Sequence, residues 1–267
     1  MSTRAAPSLP HVHDTGEGRA LLLLHAFPLD ASQWDHQVAA LSDRWRCLRP
    51  DAYGCGASPP PPPGLTLDTV AEAVLAALDD RGVGEVAVVG LSMGGYTAME
   101  LLRRAPERIR ALVLADTRAT PDAEVMRADR LDTARRVRAE GVETIVEPML
   151  QRLLSARGRE EAHAADPVRA RIRRCTPEGV AACLEAMAAR PDSTDLLRHI
   201  AVPTLVICGA EDAGSPPEVM RGMAEAIPQA RFELIEEAGH LSNLEQPARF
   251  SALVGEFLAE AYPPGPT

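Results

Sequence analysis

Val86-Ala87-Val88-Val89-Gly90-Leu91-Ser92-Met93-Gly94-Gly95-Tyr96, running on through Met99 to Leu102, decides how the rest of the chain is read. The β-branched run Val86 to Val89 predicts a buried strand, and within four residues the apolar spacing becomes helical. Such a switch forces a sharp bend with Ser92 at its apex. Gly90 and Gly94 keep Cβ atoms out of the crowded strand–helix contact. A G-x-S-x-G bend between a strand and a helix lifts its serine hydroxyl into the open at the carboxyl end of a sheet. It also holds that residue in strained backbone geometry and points the Met93 NH and the helix N-terminus at the same space.

Composition narrows the alternatives. The chain has 267 residues, 46% hydrophobic and 25% charged, long enough for one α/β domain with an insertion. No window approaches the roughly 20 apolar residues of a membrane span. Residues 1–18 lack the apolar stretch of a signal peptide and Leu21 to Leu24 is only a strand long, so a cytoplasmic location is expected. All 28 basic residues are arginine. Without lysine there is no P-loop and no Schiff base, and the net charge of −10 argues against nucleic acid. Cys47, Cys55, Cys175, Cys183 and Cys208 are odd in number and widely spaced, without a C-x-x-C pair. Neither a disulfide framework nor a thiolate metal site is expected, and all five read as small buried hydrophobes. His11 and His13 share a strand face but lack a third ligand, so no metal and no cofactor is expected.

Further strands are read at His11 to Asp14, Arg19 to Leu24, Trp45 to Leu48, Ile109 to Ala115, Thr204 to Cys208 and Phe232 to Ile235. Helical spacing marks Ala31 to Leu41, Leu67 to Leu78 and Pro247 to Ala259, and Pro59 to Pro63 reads as a stiff connector. Strands alternating with helices predict a mostly parallel sheet with helices on both faces and a ligand site at the strands' carboxyl ends. From about Arg118 to His199 the alternation stops, and the segment reads as helices broken at Gly141, Pro148, Pro167, Pro177 and Pro191.

With the elbow at Ser92, the loop His25-Ala26-Phe27-Pro28, the segment Asp51-Ala52-Tyr53-Gly54-Cys55-Gly56-Ala57-Ser58 and the ending Gly239-His240-Leu241-Ser242-Asn243-Leu244-Glu245-Gln246-Pro247, the chain resembles the α/β-hydrolase superfamily. Together with Ala115-Asp116-Thr117-Arg118-Ala119, these motifs are most similar to the 3-oxoadipate enol-lactonase and small carboxylesterase branch. The resemblance implies an α/β-hydrolase core over residues 1–117 and 200–267, roofed by an all-helical cap over 118–199. It places Ser92 as nucleophile, Asp212 as triad acid and His240 as triad base, in the chain order this fold uses. The NH groups of Phe27 and Met93 become the oxyanion hole, with Ala26 standing where the family prefers glycine. Tyr53 replaces an arginine usual at its position. His25 reads as structural. Asp116 is the rival acid, because some members carry the carboxylate after the earlier strand.

The chemistry follows from the residue types. A serine hydroxyl needs a base that can accept its proton and hand it on, and the histidine needs a carboxylate to fix its tautomer. The implied reaction is hydrolysis of a small carboxylic ester or lactone by a monomer or homodimer. Carbon–carbon bond hydrolysis of a dienoate, cofactor-free peroxidase-like chemistry, and a triad-retaining small-molecule sensor are the alternatives, and cationic pocket residues from the cap would favour the dienoate. The cap segment carries 15 Arg against 14 Asp and Glu and has no aromatic residue. Its pocket lining is therefore expected to be aliphatic, from Met126, Met149, Leu150, Leu153, Leu154 or Met187, with aromatic contact only from Phe27, Tyr53 or Tyr96. The cluster Arg169, Arg171, Arg173 and Arg174 reads as a solvated helix face.

Overall fold

The computed structural model describes residues 9–265. Seven strands form one sheet: β1 (Val12–Thr15), β2 (Ala20–Leu24), β3 (Arg46–Pro50), β4 (Val86–Leu91), β5 (Ile109–Ala115), β6 (Thr204–Gly209) and β7 (Arg231–Ile235). Their order across the sheet is β1-β3-β2-β4-β5-β6-β7. Only β1 runs antiparallel, pairing with β3 at one edge. Every residue of β2, β4 and β6 is buried, as expected for parallel strands covered on both faces.

Around the sheet lie α1 (Asp35–Leu41), preceded by a 3-10 turn at Ala31–Trp34, then α2 (Leu67–Asp79) and α3 (Met93–Arg104). Thr66 starts α2 with a capping box, its hydroxyl taking the Thr69 NH while the Thr69 hydroxyl takes the Thr66 NH. After β5 come six helices without an intervening strand: α4 (Glu124–Glu140), α5 (Glu143–Leu153), α6 (Ala156–Glu160), α7 (Ala162–Ile172), α8 (Pro177–Ala188) and α9 (Thr194–Leu197). The chain then returns to β6 and finishes with α10 (Pro217–Ala226), α11 (Ser242–Glu245) and α12 (Pro247–Ala261). Trp34, Trp45 and Phe250 are the largest fully buried side chains among the described residues. Among the described residues no helix is long and apolar enough to cross a membrane. The N-terminal expectation falls partly on residues 1–8, which lie outside the described residues.

Two expectations are corrected where the six-helix segment meets the sheet. Cys55, in the turn after β3, is disulfide-bonded to Cys175, between α7 and α8, and only Cys47, Cys183 and Cys208 are free and buried. The partners are separated by 120 residues, so only the tertiary fold reveals the pair. The arginine cluster is only in part a solvated face: the Arg173 and Arg174 side chains stay half exposed, yet all four arginines make specific contacts. Arg174 grips the buried Asp30 carboxylate at 2.6 and 3.0 Å, and Arg171 donates to the Ser32 hydroxyl and carbonyl oxygens at 3.0 and 2.9 Å. Arg169 and Arg173 pair with Glu147 and Glu143 of α5. Four residues that look alike in sequence thus divide between fastening α7 to the sheet domain and fastening it to α5.

Candidate active site

The bend after β4 has the strain its sequence implies. Ser92 sits at φ 56°, ψ −113°, in the left-handed half of backbone space that β-carbon-bearing residues avoid. Its carbonyl is secured by the Gly95 NH at 2.9 Å and the Thr117 hydroxyl at 2.8 Å. A Cβ on Gly94 would lie 2.0 Å from the Leu24 carbonyl oxygen, and one on Gly90 would lie 2.5 Å from that of Gly94. The elbow therefore closes only with glycine at both positions.

His240 arrives on the loop after β7 and points Nε2 at Ser92 Oγ, 2.7 Å away. Its Nδ1 lies 2.8 and 2.9 Å from the two carboxylate oxygens of Asp212, on the loop after β6. With Nδ1–H donating to Asp212, Nε2 is left as the acceptor of a hydrogen bond from the Ser92 hydroxyl. Asp212 Oδ1 also accepts the NH groups of Gly214 at 2.7 Å and Ser215 at 2.9 Å. Burial alone would raise the Asp212 carboxyl, but the charge and hydrogen bond of His240 and the two amides outweigh it and hold it below the ordinary range. Burial would depress His240, and Asp212 reverses that, so the imidazole is held above its usual value.

Asp116 follows β5 at φ 46° and is fully buried, yet it makes no hydrogen bond to the histidine. Its Oδ1 accepts the Gly209 NH at 2.8 Å and its Oδ2 accepts the Ser242 hydroxyl. Burial first, then the charge of Asp212, pushes its carboxyl up to about 8. Of the two candidate acids, Asp212 alone lies against Nδ1.

Phe27 follows β2 and precedes a cis Pro28. Among the described residues no acceptor takes the NH of Phe27 or of Met93. Ala26 lies outside the left-handed region, so the missing glycine costs the loop nothing, and its NH is held by Gln33 Oε1 at 2.8 Å. His25 is structural: buried, it donates from Nδ1 to the Ala26 carbonyl at 2.8 Å and accepts the Ala52 NH on Nε2 at 2.9 Å. His13 contacts Asp51 at 3.1 Å in the same region.

A cavity of about 350 Å³ opens over Ser92 and His240. Phe27, Tyr96, Met126, Met149, Leu153 and Met187 line it, as expected. Tyr53 does not. It is buried with Leu65, Ala73 and Ala182 and lines a separate small cavity beside His25 and Val74. A loop position beside the site was visible in sequence; the direction of the ring was not. Leu150 and Leu154 are buried but do not line the cavity.

The aliphatic expectation for the roof is also corrected. Arg118, Arg130, Arg136 and Arg152 reach the cavity, together with Asp122 and Asp129. Arg130 and the buried Arg190 both pair with Asp122, and Arg152 pairs with Asp129. Arg190 also lies 4.3 Å over the Tyr96 ring, so this ion network braces the cavity wall beside Ser92. The side chains of Arg118 and Arg136 make no hydrogen bond or ion pair among the described residues. Arg118, three residues past the carboxyl end of β5, had a positional signal. The helical arginines had none, because a polar face reads the same over a cavity as over water.

The family model of the alpha/beta hydrolase fold matches residues 19–247, a span that carries the elbow, both candidate acids and the histidine. The chain belongs to the α/β-hydrolase family. Among solved α/β-hydrolase structures, a thermophilic esterase from Thermogutta terrifontis superposes with a TM-score of 0.92 at 41% identity, over 94% of this chain and 93% of that one. The enol-lactonase from Burkholderia xenovorans LB400 does so with 0.87 at 31% identity, over 93% of this chain and 96% of that one. In sequence, 3-oxoadipate enol-lactonase 2 of Acinetobacter baylyi is 30% identical over 237 residues, 88% of this chain and 86% of its own length. Within the α/β-hydrolases the chain thus stands with the enol-lactonase branch, as its motifs implied.

Proposed function

We propose that this α/β-hydrolase cleaves a small carboxylic ester or lactone through an acyl-enzyme on Ser92. That it is a hydrolase acting on ester bonds follows from the family and from its esterase and enol-lactonase relatives. The observation that carries the finer reading is the unbroken path from Ser92 Oγ to His240 Nε2 at 2.7 Å and from Nδ1 to Asp212 at 2.8 Å.

In this reading Ser92 Oγ attacks the carbonyl carbon as its proton passes to His240 Nε2. The oxyanion forms against the NH groups of Phe27 and Met93, and losing one such donor costs on the order of 3 kcal/mol. The imidazolium, stabilised by Asp212, protonates the departing oxygen. Water then enters, gives its proton to His240 and attacks the acyl carbon, and the collapsing intermediate takes the proton back on Ser92 Oγ. Of the expected core 1–117 and 200–267, the described residues 9–117 and 200–265 are assigned to the hydrolase core, and 118–199 to the cap. The enzyme acts as a monomer or homodimer in the cytoplasm.

The test is labelling of Ser92 with a fluorophosphonate, followed by turnover of short and medium acyl esters and lactones. Stoichiometric labelling lost in Ser92→Ala supports the reading, and an unlabelled, inactive wild type overturns it. Arg118 and Arg136, the two cavity arginines without a carboxylate partner among the described residues, favour one second reading, hydrolysis of a carbon–carbon bond in an anionic dienoate, which they would hold. Faster turnover of vinylogous diketones than of any ester would select it.

A further inference from the structure

We propose that Glu245 is a positioning residue: its carboxylate ties the loop bearing His240 to the cap and so keeps the imidazole in line with Ser92. This rests on the serine-hydrolase reading above. Glu245 is the last residue of α11, five residues after His240. Its Oε1 accepts the NH of Gly239, the residue just before the histidine, at 2.8 Å. Its Oε2 accepts both the NH and the hydroxyl of Ser155, at 3.0 and 2.5 Å, in the joint between α5 and α6. On the other side of the histidine, the Leu241 NH donates to the Leu153 carbonyl at 3.0 Å. The backbone is thus moored on both sides of His240 to the turn where α5 ends and α6 begins. Helix α5 also supplies Met149 and Leu153 to the cavity wall.

The joint leaves little slack. A Cβ on Gly239 would lie 2.5 Å from the Ser155 nitrogen, and one on Gly158 would lie 2.4 Å from Glu245 Oε2. Three donors meet two carboxylate oxygens, an arrangement that a carboxamide cannot reproduce, since one of its two heavy atoms is itself a donor. Glutamine would keep one of the two links and set an NH₂ against a donor in the other. A histidine freed by even 1 Å loses its hold on the serine proton, and misplacement of that size costs about 100-fold in rate.

The test compares wild type, Glu245→Gln, Ser155→Ala and the double variant, with active sites counted by fluorophosphonate. Expected for Glu245→Gln is a fall in kcat per labelled site of about 10- to 100-fold, KM within about twofold, and a parallel fall in the labelling rate constant. Ser155→Ala should move kcat the same way by about two- to fivefold, and the double variant should be no worse than Glu245→Gln alone. An unchanged kcat per labelled site in folded Glu245→Gln, whatever its melting temperature, overturns the proposal. Should that variant not fold, Ser155→Ala with wild-type kcat overturns it. A wild type that neither labels nor turns over takes this proposal down with the serine-hydrolase reading, whereas an active wild type beside an unaffected Glu245→Gln removes this proposal alone.

Discussion

Carboxylate oxygens of Asp116 and Asp212 and the Cys208 sulfur lie within 4.8 Å of one another, and two buried carboxyls that close cannot both carry a charge cheaply. Asp212 keeps the charge because His240 and two amide NH groups face it, and Asp116 keeps a proton up to about 8. Substituting each tests the division. Asp212→Asn should lower kcat by about 10⁴-fold through loss of the correct imidazole tautomer, while Asp116→Asn should cost no more than about tenfold. Steady-state kinetics on one ester decides, and the reverse order would move the acid to Asp116. The base must be neutral to act, and its pKa is raised, so the acidic limb of kcat/KM should lie above the ordinary histidine value of about 6.5. A limb at or below that value would contradict the pairing. Stability has its own signs. The Asp212 contribution is present above about pH 3.9 and lost as pH falls through its lowered folded value. That of His240 is complete below about pH 6.5 and lost as pH rises through its raised folded value.

At the scale of elements, the strands and the elbow were legible because their signals are local: unbroken apolar runs, a change of period, two glycines with no room for Cβ. Ile109–Ala115 was read to the residue, and other strand ends shifted by one or two positions. How the cap attaches was not legible. Arginine spacing on α7 specifies a polar face, and whether that face meets water, Asp30 or α5 depends on packing that no short window contains. The docking can be weighed directly. Arg174→Ala strands the buried Asp30 carboxylate, and because the guanidinium itself is 50% exposed the expected cost is about 1–2 kcal/mol. Urea unfolding should show a lower midpoint at an unchanged slope, and an unaltered midpoint would mean that the Arg174–Asp30 pair contributes nothing to docking α7.

For the whole molecule, the cross-link between Cys55 and Cys175 is the feature that composition concealed. An odd set of scattered cysteines gives no hint of a pair, and the bond spans a loop of 120 residues. Closing so long a loop restricts the unfolded chain, so Cys55→Ser or Cys175→Ser should cost about 2–4 kcal/mol, read as the difference in unfolding free energy with and without reductant. Equal stability in both conditions would show that the thiols are not joined in solution. Reducing cytoplasm works against such a bond, so counting free thiols in protein taken directly from cells also tests the proposed location.

The same bond has a topological effect. A protease that nicks any exposed turn between residues 56 and 174 would leave two fragments that still migrate as one species until reductant is added. Ser92 lies on that bridged stretch and His240 beyond it, so clipped molecules need not lose the partnership on which turnover depends.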